Sequence, residues 1–226
     1  MSDTLSPDCP SCGACCRQGG PVLHREDAPL VGRVLPLSSL VTLRAGELTY
    51  DPVTAQLLPL ESEVIKIQGT GAELNPWQCV FLEGEAHCRI YADRPAQCSS
   101  LLCQNTAALE ELYKHGRLTR EDILADAPEG WLGLARTHEE ECSLPLLVPL
   151  ARQAITDSTA SHLLLEAQRF DTAFRELCIE KAQVPFEVLP CLLGRPLEHF
   201  LASFGLAFVH HGHDIELEKV GVRVYP

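Results

Sequence analysis

The chain has 226 residues, a formal net charge of −13 and a nearly half-hydrophobic composition, so it is long and apolar enough to fold around a core. An acidic surface repels phosphate backbones, and no local cluster of lysines offsets it, which argues against general nucleic-acid binding. The first residues lack a signal-peptide pattern, and no apolar run reaches the ~18–20 residues of a membrane span. We therefore expect a cytoplasmic protein without membrane contact.

The first 105 residues carry signals for short elements. Cysteine, glycine and proline dominate residues 1–20, as expected for a loop around a metal. The apolar spacing of residues 36–47 predicts a short helix, whereas the alternation in residues 64–67 predicts a strand. Residues 79–82 and 88–91 predict two more strands, joined through a glycine-containing turn into a hairpin.

A helix is predicted directly after this hairpin. Asp93 is a candidate capping carboxylate, and Pro95 suits the first helical turn. The helix would then continue past Cys98 to Leu102.

From residue 106 to about residue 204 the apolar pattern is mainly helical. Thr119 and Asp122 predict a capping box within this region. Residues 208–225 alternate again and predict a terminal β-hairpin. The resulting fold class is α+β, with a cysteine-rich metal-binding part over residues 1–105 and a mainly helical region over residues 106–226.

Eight of the eleven cysteines fall into two groups that predict a metal site. The groups are Cys9, Cys12, Cys15 and Cys16, then Cys79, Cys88, Cys98 and Cys103. A cytoplasmic protein keeps its thiols reduced, which argues against a disulfide framework. Thiolates at two-residue spacing are typical ligands of zinc, iron or an iron–sulfur cluster. All eight are candidate metal ligands, and Cys16 would either reach a second metal or pack against the site.

Two cysteine pairs raise geometric questions. Cys15 and Cys16 are adjacent, and adjacent side chains diverge, so a shared tetrahedral metal is not expected. Cys98 and Cys103 would differ by about 140° around a continuous helix and would share a centre only if the helix breaks between them. The helix N-terminus would favour the Cys98 thiolate, and Arg89 and Arg94 would offset sulfur charge.

The other three cysteines, Cys142, Cys178 and Cys191, are scattered in apolar or helical surroundings and are predicted to be core residues. No arrangement of residues typical of a catalytic or nucleotide-cofactor site stands out. The histidines around residues 210–213 are interpreted as a polar turn rather than as a second metal site.

The cysteine pattern resembles the CxxCxxCC family of zinc- or iron-chelating proteins, also called the YkgJ-like cysteine cluster family. The residues that carry the resemblance are Cys9-x-x-Cys12-x-x-Cys15-Cys16, Cys79, Cys88-Arg-Ile-Tyr91-x-x-Arg94-Pro95-x-x-Cys98 and Cys103. The resemblance covers about residues 9–105 and implies metal chelation. Some relatives in this family are flagellin lysine N-methylases.

Three functional hypotheses follow. The first is an iron–sulfur protein in which both cysteine groups hold a [4Fe–4S] or related cluster. The second is a structural Zn(Cys)₄ protein, whose helical region would bind a protein partner. The third, implied by the resemblance alone, is an enzyme that modifies another protein.

In either metal hypothesis, Cys12→Ser is expected to lower metal content and to destabilise the cysteine-rich part, because a ligand thiolate is lost. Elemental analysis and thermal melting check this. Unchanged metal occupancy and melting would show that Cys12 is not a ligand.

Overall fold

The computed structural model of the protein describes residues 12–51, 54–102, 105–113, 115–211 and 214–222. Its strands are β1 (Leu40–Leu43), β2 (Leu48–Asp51), β3 (Gln56–Pro59), β4 (Val64–Ile67), β5 (Leu82–Glu83), β6 (His87–Cys88), β7 (Leu206–His211) and β8 (Asp214–Lys219). Its α-helices are α1 (Ala14–Gln18), α2 (Ala96–Ser100), α3 (Ala107–Tyr113), α4 (Arg120–Ile123), α5 (Trp131–Glu141), α6 (Leu144–Gln153), α7 (Ser158–Glu180), α8 (Leu189–Leu193) and α9 (Leu197–Ala202). Short antiparallel strands lie mainly in the N-terminal half and most helices in the C-terminal half, which confirms the α+β class.

Strand β4 has backbone partners on both edges. The strands pair as β1–β4, β2–β3, β5–β6 and β7–β8, all antiparallel. On the edge of β4 opposite to β1, the N–H of Leu23 donates to the carbonyl of Ile65 at 2.8 Å, and the N–H of Ile67 donates to the carbonyl of Pro21 at 3.0 Å. Residues 21–23 therefore extend along β4 as a third, short strand-like segment.

The prediction of a helix over residues 36–47 is wrong. Residues Leu37–Ser39 form a single 3-10 turn, and the chain then continues as β1. Leu40 and Leu43 are buried in this strand, which pairs with β4 and contacts α8. Pairing with a distant strand therefore outweighs the local apolar spacing.

The other predicted strands are found, β4 with the predicted bounds and the strands of both hairpins with shifted ones. The strand over residues 64–67 is β4, and the predicted hairpin is formed by β5 and β6 around Gly84, with only two residues paired on each strand. Strands β7 and β8 form the terminal hairpin. Residues 212–213 of the histidine-rich turn lie outside the described residues.

Side chains cap the helices at two clear points. The predicted capping box is confirmed, because the N–H of Thr119 donates to Asp122 Oδ2 at 2.8 Å at the start of α4. At the start of α7, Asp157 Oδ1 accepts from the N–H of Thr159 at 2.8 Å.

The larger hydrophobic core formed by the described residues joins both parts of the chain. Leu23, Leu40 and Ile65 from the front part share it with Leu118 and Leu192 from the rear. A second core lies among α6, α7, α9 and β7. Cys142, Cys178 and Cys191 are buried, as predicted. The domain boundary at residue 105 stays a prediction. None of the helices in the described part of the chain is long and apolar enough to cross a membrane.

Buried charges reinforce this junction. Arg120 Nη2 lies 2.6 Å from Glu63 Oε2 and 2.9 Å from Glu139 Oε2. Arg44, almost completely buried, donates from Nη1 to the carbonyl of Cys142 at 3.1 Å and lies 3.7 Å from Glu139. Removing one partner would leave a buried charge uncompensated, so this network fixes the helices against the strands.

A fully buried histidine lies in the helical region. His138 Nε2 is 2.6 Å from Asp171 Oδ1, which also accepts from Arg175 Nε at 2.9 Å. Burial lowers the pKa of His138, and the charges of Arg44 and Arg175 lower it further, whereas Asp171 opposes the shift. The folded protein therefore favours the neutral imidazole.

We expect stability to fall as the pH drops below about 6.5, because the unfolded chain then binds a proton at His138 that the folded protein resists binding. One such group changes the unfolding free energy by at most about 1.4 kcal/mol per pH unit. Urea denaturation between pH 7.5 and 5.5 checks this. His138→Gln should show a shallower decline, and the exposed His162→Gln should behave like the wild type. Equal slopes in all three proteins would contradict the assignment.

Candidate metal centre

Among the described cysteines, five line one cavity of about 250 Å³. Cys15 and Cys16 lie on α1, Cys79 precedes β5, Cys88 ends β6 and Cys98 lies on α2. The two sequence groups therefore meet at one place, as the metal hypothesis requires. The ligand roles of the individual cysteines stay predictions.

Helix α1 is held against the turn of the β5–β6 hairpin. Gly13 precedes the helix with φ +69°, and a Cβ there would clash with the carbonyl of Glu85. The guanidinium of Arg17 donates to the same carbonyl and, from Nη2, to the carbonyl of Cys12 at 3.0 Å. These contacts fix the helix that carries Cys15 and Cys16.

Cys79 is fixed by backbone hydrogen bonds to both sides. Its N–H donates to the carbonyl of Cys16 at 2.8 Å, and its carbonyl accepts from the N–H of Leu82 at 2.9 Å. Gly69, which follows β4, forms an antiparallel bridge with Cys79. The first cysteine group and the hairpin are therefore joined directly at the cavity wall.

Helix α2 is held by residues far away in sequence. The buried Asp27 accepts from the N–H of Ala96 through Oδ1 at 2.8 Å, and Gln97 Oε1 accepts from the N–H of Val22 at 2.9 Å. Asp93, the predicted cap, instead pairs with Arg33 at 2.9 Å. The predicted helix start is therefore nearly right, but the capping carboxylate is supplied by tertiary structure.

Among the described residues, none of the remaining candidate ligands is placed in the cavity. Cys12 is exposed and does not line the cavity. Cys9 and Cys103 lie outside the described residues. Helix α2 ends at Ser100 and the backbone of Leu101 is extended, so the break required for Cys98 and Cys103 to share a centre is present.

The vicinal cysteines converge rather than diverge. Cys15 Sγ and Cys16 Sγ are 3.9 Å apart, both on the cavity side of α1. The expectation that adjacent side chains point apart is therefore wrong for this pair. Rotation about χ1 brings the sulfurs together although the Cβ directions differ.

The cavity environment opposes ionisation of its thiols. Burial, together with the neighbouring Cys15, raises the pKa of Cys16 to about 12. Burial also raises the pKa values of Cys79 and Cys98, and the surrounding thiols add to both shifts. The N-terminus of α2 is expected to favour the Cys98 thiolate, but burial outweighs that effect. A bound cation would reverse this balance and release protons.

Two cationic side chains of the described part of the chain lie on the cavity wall. Arg94 stacks 4.3 Å from the ring centroid of Tyr91, and its buried Nε–H has no hydrogen-bond partner within the described residues. Lys66 is the second, and burial lowers the pKa of its ammonium group, as does nearby Arg195. Arg89 instead lies over the ring of Phe81 and does not line the cavity, although its charge opposes the rise in the pKa of Cys79 that burial causes.

The donor set suits a soft metal ion or a cluster that contains such a metal. The cavity offers thiols, apolar walls such as Ile67, Phe81 and Ile90, and a buried donor on Arg94 that an anionic group would satisfy. Across the described part of the chain, however, no three His, Cys, Asp or Glu side chains are already grouped so that they could hold a metal ion. The cavity therefore fits a metal by the chemistry of its side chains and by their common location, and not by a ready-made coordination geometry.

Residues 8–114 match the model of the CxxCxxCC family, described as "Putative zinc- or iron-chelating domain". This part of the chain is a CxxCxxCC domain. The resemblance noted in the sequence is confirmed, and the domain contains both cysteine groups and all five cavity cysteines. No curated protein and no solved structure matches the chain.

Several residues that build the CxxCxxCC site were missed by sequence reasoning. Asp27, Gln97 and Lys66 are isolated in sequence and reach the site only through the fold. The only local signal for Asp27 was its place in the acidic first turn of a 3-10 helix at Arg25–Leu30. Such a signal does not reveal which distant helix the carboxylate will cap.

The geometry predicts that Cys98→Ser lowers metal content more than Cys12→Ser does, since only Cys98 lines the cavity. Elemental analysis per mole of protein measures this. Cys178→Ala, a buried cysteine of α7 outside the cavity, is the control and should retain its metal. A larger loss in Cys12→Ser than in Cys98→Ser would show that the centre lies elsewhere.

Proposed function

We propose that this protein holds an iron–sulfur cluster in the cavity lined by Cys15, Cys16, Cys79, Cys88 and Cys98. Cys9 and Cys103, outside the described residues, remain candidate ligands. The observation that carries the proposal is the convergence of five thiols on one cavity of about 250 Å³. A single water molecule needs only roughly 10–15 Å³ of such space, so a multinuclear group has room here.

The cationic wall of the cavity supports a cluster over a single ion. A structural zinc ion and an iron–sulfur cluster each take four cysteine ligands, so the five cavity cysteines suffice for either. Iron–sulfur clusters are anionic groups held by thiolates and tuned by hydrogen bonds to their sulfur atoms. Arg94 and Lys66 would offset the negative charge, and the unpartnered Nε–H of Arg94 would donate to a sulfur.

The protein's own residues would set the behaviour of such a cluster. The group itself would supply one-electron transfer. Ile67, Phe81 and Ile90 would exclude water from it, which raises the effective strength of every nearby charge. The Cys79–Cys16 backbone hydrogen bond would keep the two ligand segments together.

A structural zinc site is the second candidate, and one observation favours it. Two thiolates on one tetrahedral zinc, each about 2.3 Å from the metal, lie about 3.8 Å apart. The Cys15 and Cys16 sulfurs are 3.9 Å apart. In this case the helical region would serve as a protein-interaction surface, an idea that stays a prediction, as does the protein-modifying enzyme.

Protein purified without oxygen is expected to be brown, with broad visible absorption that fades on reduction, and to contain iron and inorganic sulfide in matching amounts. Cys16→Ser and Cys98→Ser should lose most of this colour, because each removes a thiolate from the cavity. Cys178→Ala should keep it. Elemental analysis, sulfide assay and a visible spectrum on the same samples measure these outcomes.

Colourless protein with zinc and no iron would overturn the cluster proposal and favour the structural zinc site. In that case a chelator should remove the metal and unfold the cysteine-rich part.

A further inference from the structure

A second cavity abuts the cysteine cavity. It has a volume of about 410 Å³, within the roughly 300–1,000 Å³ that is usual for small-molecule sites. It shares Gly19, Gly20, Lys66 and Ile67 with the cysteine cavity, so the two are neighbours. We call this second cavity the Lys66–Arg195 cleft.

The cleft combines apolar walls with a few polar groups. Its apolar lining comes from Val41, Leu43, Pro76, Trp77, Pro190 and Pro196. Its polar lining includes Lys66, Arg195 and His199. Val41 and Lys66 are paired residues of β1 and β4, so the strand pair forms one wall. Ligand sites typically show this composition, in which a few polar groups orient an otherwise apolar ligand.

The cationic charge in the cleft exceeds the anionic charge that faces it. Arg195 Nε lies 2.6 Å from Glu47 Oε1, and the same carboxylate also accepts from the N–H of Arg44 at 3.0 Å. In the part of the chain that the structure describes, no carboxylate lies within ion-pair distance of the Lys66 ammonium group.

Two like charges on the walls of a partly closed cavity repel each other, and this repulsion is poorly screened. An anion between them would remove it. The local positive charge is also opposite in sign to the net charge of −13 on the whole chain.

We propose that the Lys66–Arg195 cleft binds a small organic anion. Its carboxylate or phosphate would lie between Lys66 and Arg195, and its apolar body would pack against Trp77 and the neighbouring prolines. Because Lys66 also lines the cysteine cavity, the ligand would lie beside the metal centre. This inference goes beyond metal binding and does not depend on which metal the cysteines hold.

The test uses the metal-loaded protein and three probes of similar size. Benzoate and phenyl phosphate carry the two anionic groups, and benzamide is the neutral control. Calorimetric titration measures affinity, and tryptophan fluorescence reports location, since Trp77 lines the cleft while Trp131, the other tryptophan, is buried in the larger core.

One of the two anions should bind at least about tenfold more tightly than benzamide, and which one does so distinguishes a carboxylate ligand from a phosphate ligand. Lys66→Met should weaken that binding about tenfold or more, as expected for a lost charge-assisted hydrogen bond. The exposed Lys181→Met is the matched control and should bind like the wild type. The fluorescence response should disappear in Trp77→Phe.

Equal binding of benzamide and both anions, or a fluorescence response that persists in Trp77→Phe, would overturn the inference even if Lys66→Met failed to fold. Loss of metal in Lys66→Met without any preference of the wild type for anions would assign Lys66 to the thiolate centre. That outcome would also overturn the inference, while the metal proposal would stand. The metal content of each variant separates the two cases.

Discussion

The backbone pairing of β4 is the constraint on which the cysteine site depends. Its two edges are occupied by β1 and by residues 21–23, so the segment that carries α1 is fixed beside the chain that leads to Cys79. The Cys79–Cys16 hydrogen bond extends this pairing into the cavity. The same sheet contacts α8, through which the larger core reaches the rear part of the chain. The site is therefore supported by hydrogen bonds and apolar packing as well as by any metal.

That support is needed because the cavity brings together groups that resist being charged together. Burial and mutual repulsion keep Cys16, Cys79 and Cys98 protonated in the absence of a cation. A metal or cluster would bind thiolates and expel their protons, so its affinity must rise with pH. The buried Arg94 Nε–H has no hydrogen-bond partner within the described residues, and the proposed anionic cluster would supply an acceptor for it.

Sequence reasoning succeeded where the determining contacts are local. The capping box at Thr119, the strand β4 and the turn of the β5–β6 hairpin are each encoded within a few residues. It failed where partners are distant. Within residues 36–47 the chain forms β1 instead of a helix because β4 lies beside it. Asp27 replaces Asp93 as the cap of α2 across a gap of 69 residues. The convergence of Cys15 and Cys16 depends on side-chain rotamers, which spacing alone does not specify.

Lys66 links the two proposed sites, because it lies on the wall of both cavities. An anion in the Lys66–Arg195 cleft would neutralise part of the positive potential that the lysine exerts on the thiolates. Thermodynamic linkage makes this effect reciprocal, so a more negative metal centre would weaken anion binding to the same extent. At an iron–sulfur centre, reduction adds one negative charge and would favour release of the anion. At a zinc centre no such charge change occurs, because zinc has no redox chemistry. Dependence of anion affinity on reduction would therefore distinguish the two metals through the neighbouring cleft.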